Sequence, residues 1–547
     1  MTTAVSGSSK RASAVLAAIL VTCGALYLWG IDWGLPGTRN WAIDPTAPVG
    51  PVIRLGELWT GTAGESDNYV AFPYMHYFVL AVVHLPYLAF LFLTGGWRPE
   101  AGWPWGFANP VRDYTVLMVM ARVVSAAMGV GVVWLVWKTA RELYDETCAH
   151  AAALAAGLSA AIVFHAHTSK VDLPYVFWCV LALWLWVKAA RGASLRLGVL
   201  AGCAAAAAVA TKDQAAWFFV GFPVALWFNW GRSLPNEEGG ASDWRPRVRA
   251  LAWFAVAAGV TYVVVNVLPS LGRLENHLVF LLATKLRRAF PLSLTGAAAF
   301  AWRTGRLLWL SSVPLTVAGG AGLLWALARP QRRHLFWLLP LGVYAAVLFV
   351  LMGLVVQRWT MPLLVCLSFP AGLTVRAVLG VLRRPVLKGA AIALFVGPAL
   401  AQAACMDLRL VRDTRYAAQA WLADHVRDGE TVEVYSQSQV GYLPALPGGA
   451  EVEEVSRAEM TRAGLAARRP DWIVLTWFWY QRYHACPGER DYLEALCQGD
   501  ADYHVAEVFE LNVPPRPEDG GPYAAPRIVV LRRGGREGAR RVSLWGS

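Results

Sequence analysis

Long apolar windows recur along this chain, and they constrain its fold more than any other feature. They lie at 12–31, 114–137, 148–164, 173–187, 197–210, 214–230, 250–268, 307–327, 335–352, 359–376 and 388–405, with a further apolar run at 73–94. A helix that crosses a bilayer needs about 17–25 largely apolar residues. Inside hydrocarbon, each backbone polar group must find its partner within the segment, which makes helices of such runs. Composition agrees: 56% of the 547 residues are apolar and 27 are Trp, and the mean hydropathy is +0.42. The chain reads as a polytopic α-helical membrane protein of about eleven spans, followed by a C-terminal α/β domain.

The formal charge of +12 would suit nucleic acid if the basic residues formed a patch, but much of the excess falls in short hairpins. Lys138 and Arg141, then Lys188, Arg191 and Arg196, then Arg232, Arg245, Arg247 and Arg249, then Arg329, Arg332 and Arg333, then Arg383, Arg384 and Lys388 occupy alternate connections. The intervening turns carry little beyond Lys170, Lys212 and Arg358. That alternation is the positive-inside pattern of membrane topology, so nucleic acid is excluded as a partner and the basic set is expected in the cytoplasm. Lys10 and Arg11 place the N-terminus there too, and the apolar run after them continues through "LYLWGI" without a clean cleavage pattern, as an uncleaved span does.

Both statements hold only if the chain crosses once between residues 11 and 114. The run 73–94 carries Pro73, Pro86, His76, His84 and three Tyr residues, and is expected to lie at the interface or re-enter. The loop 32–72, the turns 165–172, 211–213 and 353–358, the loop 269–305 and the tail then share the outer face. The expected division is a membrane domain 1–405, an extracytoplasmic α/β domain 406–535 and a flexible tail 536–547. Helix and strand signals in the tail fall near 414–427, 431–436 and 472–478, in "YLEALCQG", "YHVAEVFEL" and "PRIVVLRRG". Cys486 and Cys497 lie in this part and could pair in an oxidising compartment.

The outer face concentrates chemistry. Asp44 stands in "NWAIDPTAPV", between apolar and rigid flanks, unlike Glu57, Glu65 and Asp67 of the same loop. The turn "HAHTSKVDLP" brings His165, His167, Lys170 and Asp172 together, and "ATKDQ" adds Lys212 and Asp213. Asp172 precedes a span, where a carboxylate also gains from the helix dipole. Arg122 is embedded near the outer end of its span, an expensive place for a charge and so a functional candidate. "LGRLENHLVFLLATKLRRAFPLSL" looks amphipathic, and its Lys285 and Arg287 suit a lipid phosphate, as does Arg358 in "QRWTMPLLV". Acid facing cations at a membrane surface suits sugar transfer from a lipid phosphate: a carboxylate takes the proton of an acceptor hydroxyl while cations meet charge building on the departing phosphate. Asp44, Asp172 and His167 form an alternative set for a divalent metal ion, with no cofactor otherwise expected. A transporter or flippase of lipid-linked glycans would place its charges near the bilayer midplane within internal repeats, which this sequence lacks. A non-catalytic envelope-assembly scaffold is the third reading.

The order of these segments resembles the GT-C superfamily of integral membrane glycosyltransferases, in the bacterial lipid-carrier-dependent branch of the protein O-mannosyltransferases and the aminoarabinose transferase of lipid A. The matching stretches are "YVAFPYMHYF", "MARVVSAAMG", "HTSKVDLPYVF", "ATKDQAAWF", "QRWTMPLLV", "DTRYAAQAWLADHV" and "RPDWIVL". The resemblance spans nearly the whole chain. It implies a GT-C-like enzyme that moves a hexose or pentose, with inversion, from a polyprenyl-phosphate-linked donor to a lipid, glycan or protein hydroxyl at the outer face of a bacterial inner membrane. Asp44 would be the main catalytic carboxylate and Asp172 the second. Arg122, Lys285, Arg287 and Arg358 would hold the donor phosphate, and His165, His167, Lys170, Asp213, Tyr69 and Tyr74 would contact substrate. Where the family has a second acid after the first, this chain has Pro45.

Overall fold

A computed structural model describes residues 2–37, 41–42, 73–98, 106–231, 244–270, 288–435, 442–483, 486–499, 502–514, 516, 524–534 and 542–544. The chain forms two compact units, one of Met1–Ile31 with Thr46–Ala404 and one of Asp32–Pro45 with Cys405–Ser547. The start of the first loop thus belongs with the C-terminal domain, which was expected to begin only at 406.

The first unit is a helical membrane bundle. Among the described residues, seven helices are long and apolar enough to cross a bilayer: Met75–Leu93, Pro110–Leu143, Asp172–Gly192, Arg245–Val267, Arg332–Met352, Gln357–Val381 and a segment starting at Pro385. An eighth is the pair Glu146–Gly157 and Ala160–Ala166, bent by 60°. This corrects the expected eleven. Ala12–Leu28, Leu195–Val209 and Val313–Ala328 are shorter apolar helices. The run 214–230 is broken into a turn at Asp213–Ala215 and the short helices Ala216–Phe219 and Phe222–Asn229. The expected loop 269–305 is also too long, since a helix already runs over Leu294–Ser311, capped by Ser293 at its start.

Hydrogen bonds gather the loops into two poles. At one, Arg191 pairs with Glu142 at 3.4 Å and Arg333 Nη1 donates to the Leu143 carbonyl at 3.2 Å. There Asn229 Nδ2 also donates to the Arg332 carbonyl at 3.0 Å. Lys138, Arg141 and Lys188 lie over Trp134, Trp137 and Trp184 at 5.2, 5.0 and 5.4 Å, the cation and aromatic mixture of a headgroup belt. At the other pole, Arg122 Nη1 donates to the Ile31 carbonyl at 2.7 Å and a ring nitrogen of His167 meets the Trp29 carbonyl at 2.9 Å. Lys212 is paired with Asp172 there as well.

The Met75–Leu93 helix has the length of a span, yet both its ends meet this second pole. Met75 N donates to the Ala210 carbonyl at 2.8 Å, and Tyr87 OH donates to Asp113 Oδ1 at 2.8 Å. Asp113 precedes Arg122 by nine residues of one continuous helix, so it stands about 13 Å further out along the axis.

The second unit carries a five-stranded sheet ordered β2-β1-β3-β5-β4, from β1 Thr431–Val434, β2 Glu451–Glu454, β3 Trp472–Thr476, β4 Tyr503–Phe509 and β5 Ile528–Arg533. β2, β1 and β3 run parallel, and β5 is antiparallel to both β3 and β4. Successive strand residues face opposite sides. Ile473, Leu475, Val529 and Leu531 enter a core with Leu493 and Leu496 of the Pro487–Gln498 helix. Trp472, Val474, Ile528 and Val530 enter another with Ala418 and Leu422 of the Thr414–His425 helix. Helices therefore cover both faces. Two expectations change here. Val542 and Leu544, placed in a flexible tail, are buried in the first of these cores, and Val542 N donates to the Cys497 carbonyl at 3.3 Å. Cys486 and Cys497 are both free thiols.

Candidate active site

Four predicted site residues, Asp44, Tyr69, Lys285 and Arg287, lie outside the described residues. The rest converge on the pole that holds Asp172. The bent pair ends at Ala166, and His167 to Val171 turn the chain into the Asp172–Gly192 helix. This puts Asp172 at the first position of a helix, where exposed N–H groups favour a carboxylate. The turn is wholly buried: His165, His167, Thr168, Ser169, Lys170 and Asp172 are each at most 4% exposed. A plain solvated connector would leave such groups in water.

The partner of Asp172 is Lys212, whose ammonium bonds Asp172 Oδ1 and also lies 5.2 Å from the centre of the Tyr175 ring. Lys212 precedes the short turn Asp213–Ala215, and its backbone N–H bonds back to the Ala208 carbonyl at 2.9 Å. Asp172 also feels the charges of Arg358, His165 and Lys170. Lys212 thus bonds a buried carboxylate that the charges of Lys170 and Arg358 also stabilise. His165 feels the same four charged side chains, and its Nδ1 has no hydrogen-bond partner among the described residues. The hydroxyls of Tyr175 and Tyr344 lie 3.5 Å apart beside this group.

Tyr74 and Asp213 join through residues that sequence reasoning missed. Tyr74 N donates to Asn266 Oδ1 at 3.3 Å, Asn266 Nδ2 donates to Tyr262 OH at 2.9 Å, and Tyr262 feels the charge of Asp213. Asn266 stands in a π-turn, Val263–Val267, a distortion often kept at functional sites. A signal was present in the sequence: Asn266 is the one polar residue of "VVVNVLP". Lys212 was visible as a charge, but nothing in the sequence named its partner.

Arg122 is fully buried and fixed to the end of the first helix through Ile31. His167 is held on both sides: Nδ1 lies 2.8 Å from the Val163 carbonyl and Nε2 2.9 Å from the Trp29 carbonyl. Both ring nitrogens thus face backbone carbonyls. Of the proposed metal set, Asp172 bonds Lys212 through Oδ1, and Asp44 lies outside the described residues. Among the described residues, no three His, Cys, Asp or Glu side chains gather as a metal-binding group.

No curated protein matches the chain. Among solved structures, it is similar to ArnT from Cupriavidus metallidurans in the apo state, at 14% identity over 97% of this chain and 100% of that one, with a TM-score of 0.46. It is also similar to the Archaeoglobus fulgidus oligosaccharyltransferase tethered with an acceptor peptide, at 13% identity over 91% and 73% of the two chains and a TM-score of 0.46. The arabinofuranosyltransferase AftD from Mycobacteria gives 15% identity over 96% of this chain and 41% of that one, with a TM-score of 0.40. The family of dolichyl-phosphate-mannose-protein mannosyltransferases matches residues 114–238, the stretch that contains Arg122, His165, Asp172 and Lys212.

Proposed function

We propose that the chain is a GT-C-type glycosyltransferase of a bacterial inner membrane, moving a sugar from a polyprenyl-phosphate donor to a lipid, glycan or protein hydroxyl. The observation that carries this reading is the buried ion pair of Asp172 with Lys212, within the stretch matched by a family named for a lipid-phosphate sugar donor, with the charges of Lys170 and Arg358 acting on the same carboxylate. A group with excess positive charge around a buried carboxylate is suited to an anion such as a phosphate. The basic pole, opposite this one, is assigned to the cytoplasm. Met75–Leu93, with both ends at the site pole, then counts as a juxtamembrane element.

In this reading the acceptor oxygen attacks the anomeric carbon from the face opposite the phosphate. Its proton passes to the Asp44 carboxylate. The bond between the anomeric carbon and the phosphate oxygen breaks, and its electron pair leaves with the polyprenyl phosphate. The added negative charge is met by Lys170, Lys212 and Arg358, while Asp172 orients Lys212 through their ion pair. Arg122 supports the phosphate side from the next helix.

The test uses membranes of a strain lacking this chain, with glycans and envelope proteins read by mass spectrometry. The wild-type chain restores a glycan mass shift and Asp44→Asn restores none although it accumulates normally. Full restoration by Asp44→Asn overturns the base assignment. Vesicles in which the protein moves lipid-linked sugar across the bilayer without forming a glycosidic bond overturn the enzyme reading.

A further inference from the structure

Three elements of the membrane bundle meet at one buried amide. The helix Met75–Leu93 begins, as every helix does, with N–H groups that its own turns cannot satisfy. Two other elements supply the acceptors. Met75 N donates at 2.8 Å to the carbonyl of Ala210, which closes the helix Leu195–Val209, and Tyr74 N donates at 3.3 Å to Asn266 Oδ1. Asn266 therefore stands beside the end of that helix, two residues ahead of Lys212. It is only 4% exposed, and an amide buried in an apolar run needs partners for both its oxygen and its nitrogen.

This pairing fixes the direction of each proton along the path. A backbone N–H can only donate, so the Asn266 atom that faces Tyr74 is the oxygen, and the nitrogen faces the Tyr262 hydroxyl at 2.9 Å. An amide nitrogen can only donate as well. The Tyr262 oxygen is thus the acceptor of that bond, and its own proton remains to be given. Among the described residues, none accepts it. The charge of Asp213 acts on Tyr262, yet no hydrogen bond joins the two side chains. Both residues are half-buried, so a ligand can reach them.

A phenol with a proton to give, close to a carboxylate that accepts one, complements a group that is donor and acceptor at once. A sugar hydroxyl is such a group. Asp213 directly follows Lys212, and the sugar of a lipid-phosphate donor is bonded directly to its phosphate, so a phosphate at Lys212 brings its sugar to this pair. We propose that Tyr262 and Asp213 are specificity-determining residues for the sugar of the donor: the tyrosine donates to, and the carboxylate accepts from, hydroxyls of the transferred sugar. Asn266 acts through Tyr262, as a positioning residue that presents the phenol with its proton outward. The inference rests on the lipid-phosphate reading above, in which Lys212 meets the phosphate.

The experiment titrates the purified full chain with a panel of polyprenyl phosphates that carry a hexose or a pentose, and with the bare polyprenyl phosphate. The quantity read is a margin: affinity for the best-bound sugar-bearing lipid divided by affinity for the bare one. Tyr262→Phe keeps the ring and loses the hydroxyl, Asp213→Asn keeps the shape and loses the charge, and Asn266→Leu removes both amide bonds. Each is expected to lower the wild-type margin about tenfold, while affinity for the bare lipid falls by no more than about twofold. A general loss of structure would weaken both lipids alike, so the margin separates sugar recognition from folding. If Asn266→Leu fails to accumulate, Tyr262→Phe carries the test. An unchanged margin in Tyr262→Phe and Asp213→Asn means that water alone fills the space between the two groups and overturns the inference. A wild-type chain that binds sugar-bearing and bare lipids equally overturns it too. A wild-type chain that binds no polyprenyl phosphate at all overturns the lipid-phosphate reading instead, which keeps the two failures distinct.

Discussion

Lys212 and Asp172, separated by 40 positions in sequence, meet as a buried ion pair at the first residue of a membrane helix. Removing either partner alone leaves a charge in a place that water does not reach. Such a change costs about 3–5 kcal/mol. The double variant Asp172→Asn with Lys212→Met is therefore expected to be more stable than either single variant, as measured by thermal unfolding of detergent-solubilised protein. All three should lose sugar transfer. A double variant destabilised by the sum of the two single losses would mean that the two groups are not coupled.

Arg358 acts on both Asp172 and His165 and precedes the helix Met361–Val381 after one short turn. Arg358→Gln keeps length and polarity but removes the charge. On the proposed function, affinity for a polyprenyl phosphate is expected to fall about tenfold, the equivalent of about 1.4 kcal/mol, with little change in thermal stability because Arg358 is partly exposed. Titration of the purified protein with a polyprenyl phosphate checks this, and an unchanged affinity removes Arg358 from the proposed phosphate site.

The two poles of the bundle were legible because topology is written in charge: Arg191 and Arg333 are sequence-visible members of one set, and they do meet the same hairpin. Asp172 was legible because an acid ahead of Leu-Pro at the start of an apolar run is chemically unusual. Its partner was not, since no local pattern links two turns across a bundle. The β2 strand Glu451–Glu454 was invisible for a different reason. Its side chains are mostly exposed, so its register with β1 comes from backbone bonds and leaves no apolar alternation to read. Val542 and Leu544 were masked by their Arg- and Gly-rich surroundings, although their spacing of two is that of an inward-facing pair.

Gly202 sets how closely two helices approach. It lies in Leu195–Val209, and a Cβ at this position would strike the Phe254 carbonyl of the Arg245–Tyr262 helix. Small residues at such crossings let backbones pack in a membrane, and a methyl group against a carbonyl has nowhere to move. Gly202→Ala is expected to destabilise the protein by about 1–3 kcal/mol and to lower its melting temperature in detergent. Gly259 on the facing helix meets nothing within 4 Å, so Gly259→Ala serves as the control and should leave stability unchanged or raise it slightly.

The two thiols of the C-terminal domain should differ sharply in reactivity. Cys497 is packed in the core that lies between the sheet and the Pro487–Gln498 helix, and burial pushes its pKa up to about 12. The thiolate is the reactive form, and at pH 8 a thiol with that pKa holds only about one part in ten thousand as thiolate. Because the shift is upward, raising the pH to 9 increases that fraction about tenfold but still leaves it small. Cys486 is half-buried at the mouth of the same helix, where Arg457 Nη2 lies 3.7 Å from its sulfur. Maleimide at pH 8 is expected to modify Cys486 in the folded protein and to reach Cys497 only after denaturant is added, as read from the mass of the two tryptic peptides. Equal labelling of both in native protein would show that the helix does not stay packed on the sheet. Protection of both until a reductant is added would show that they are joined.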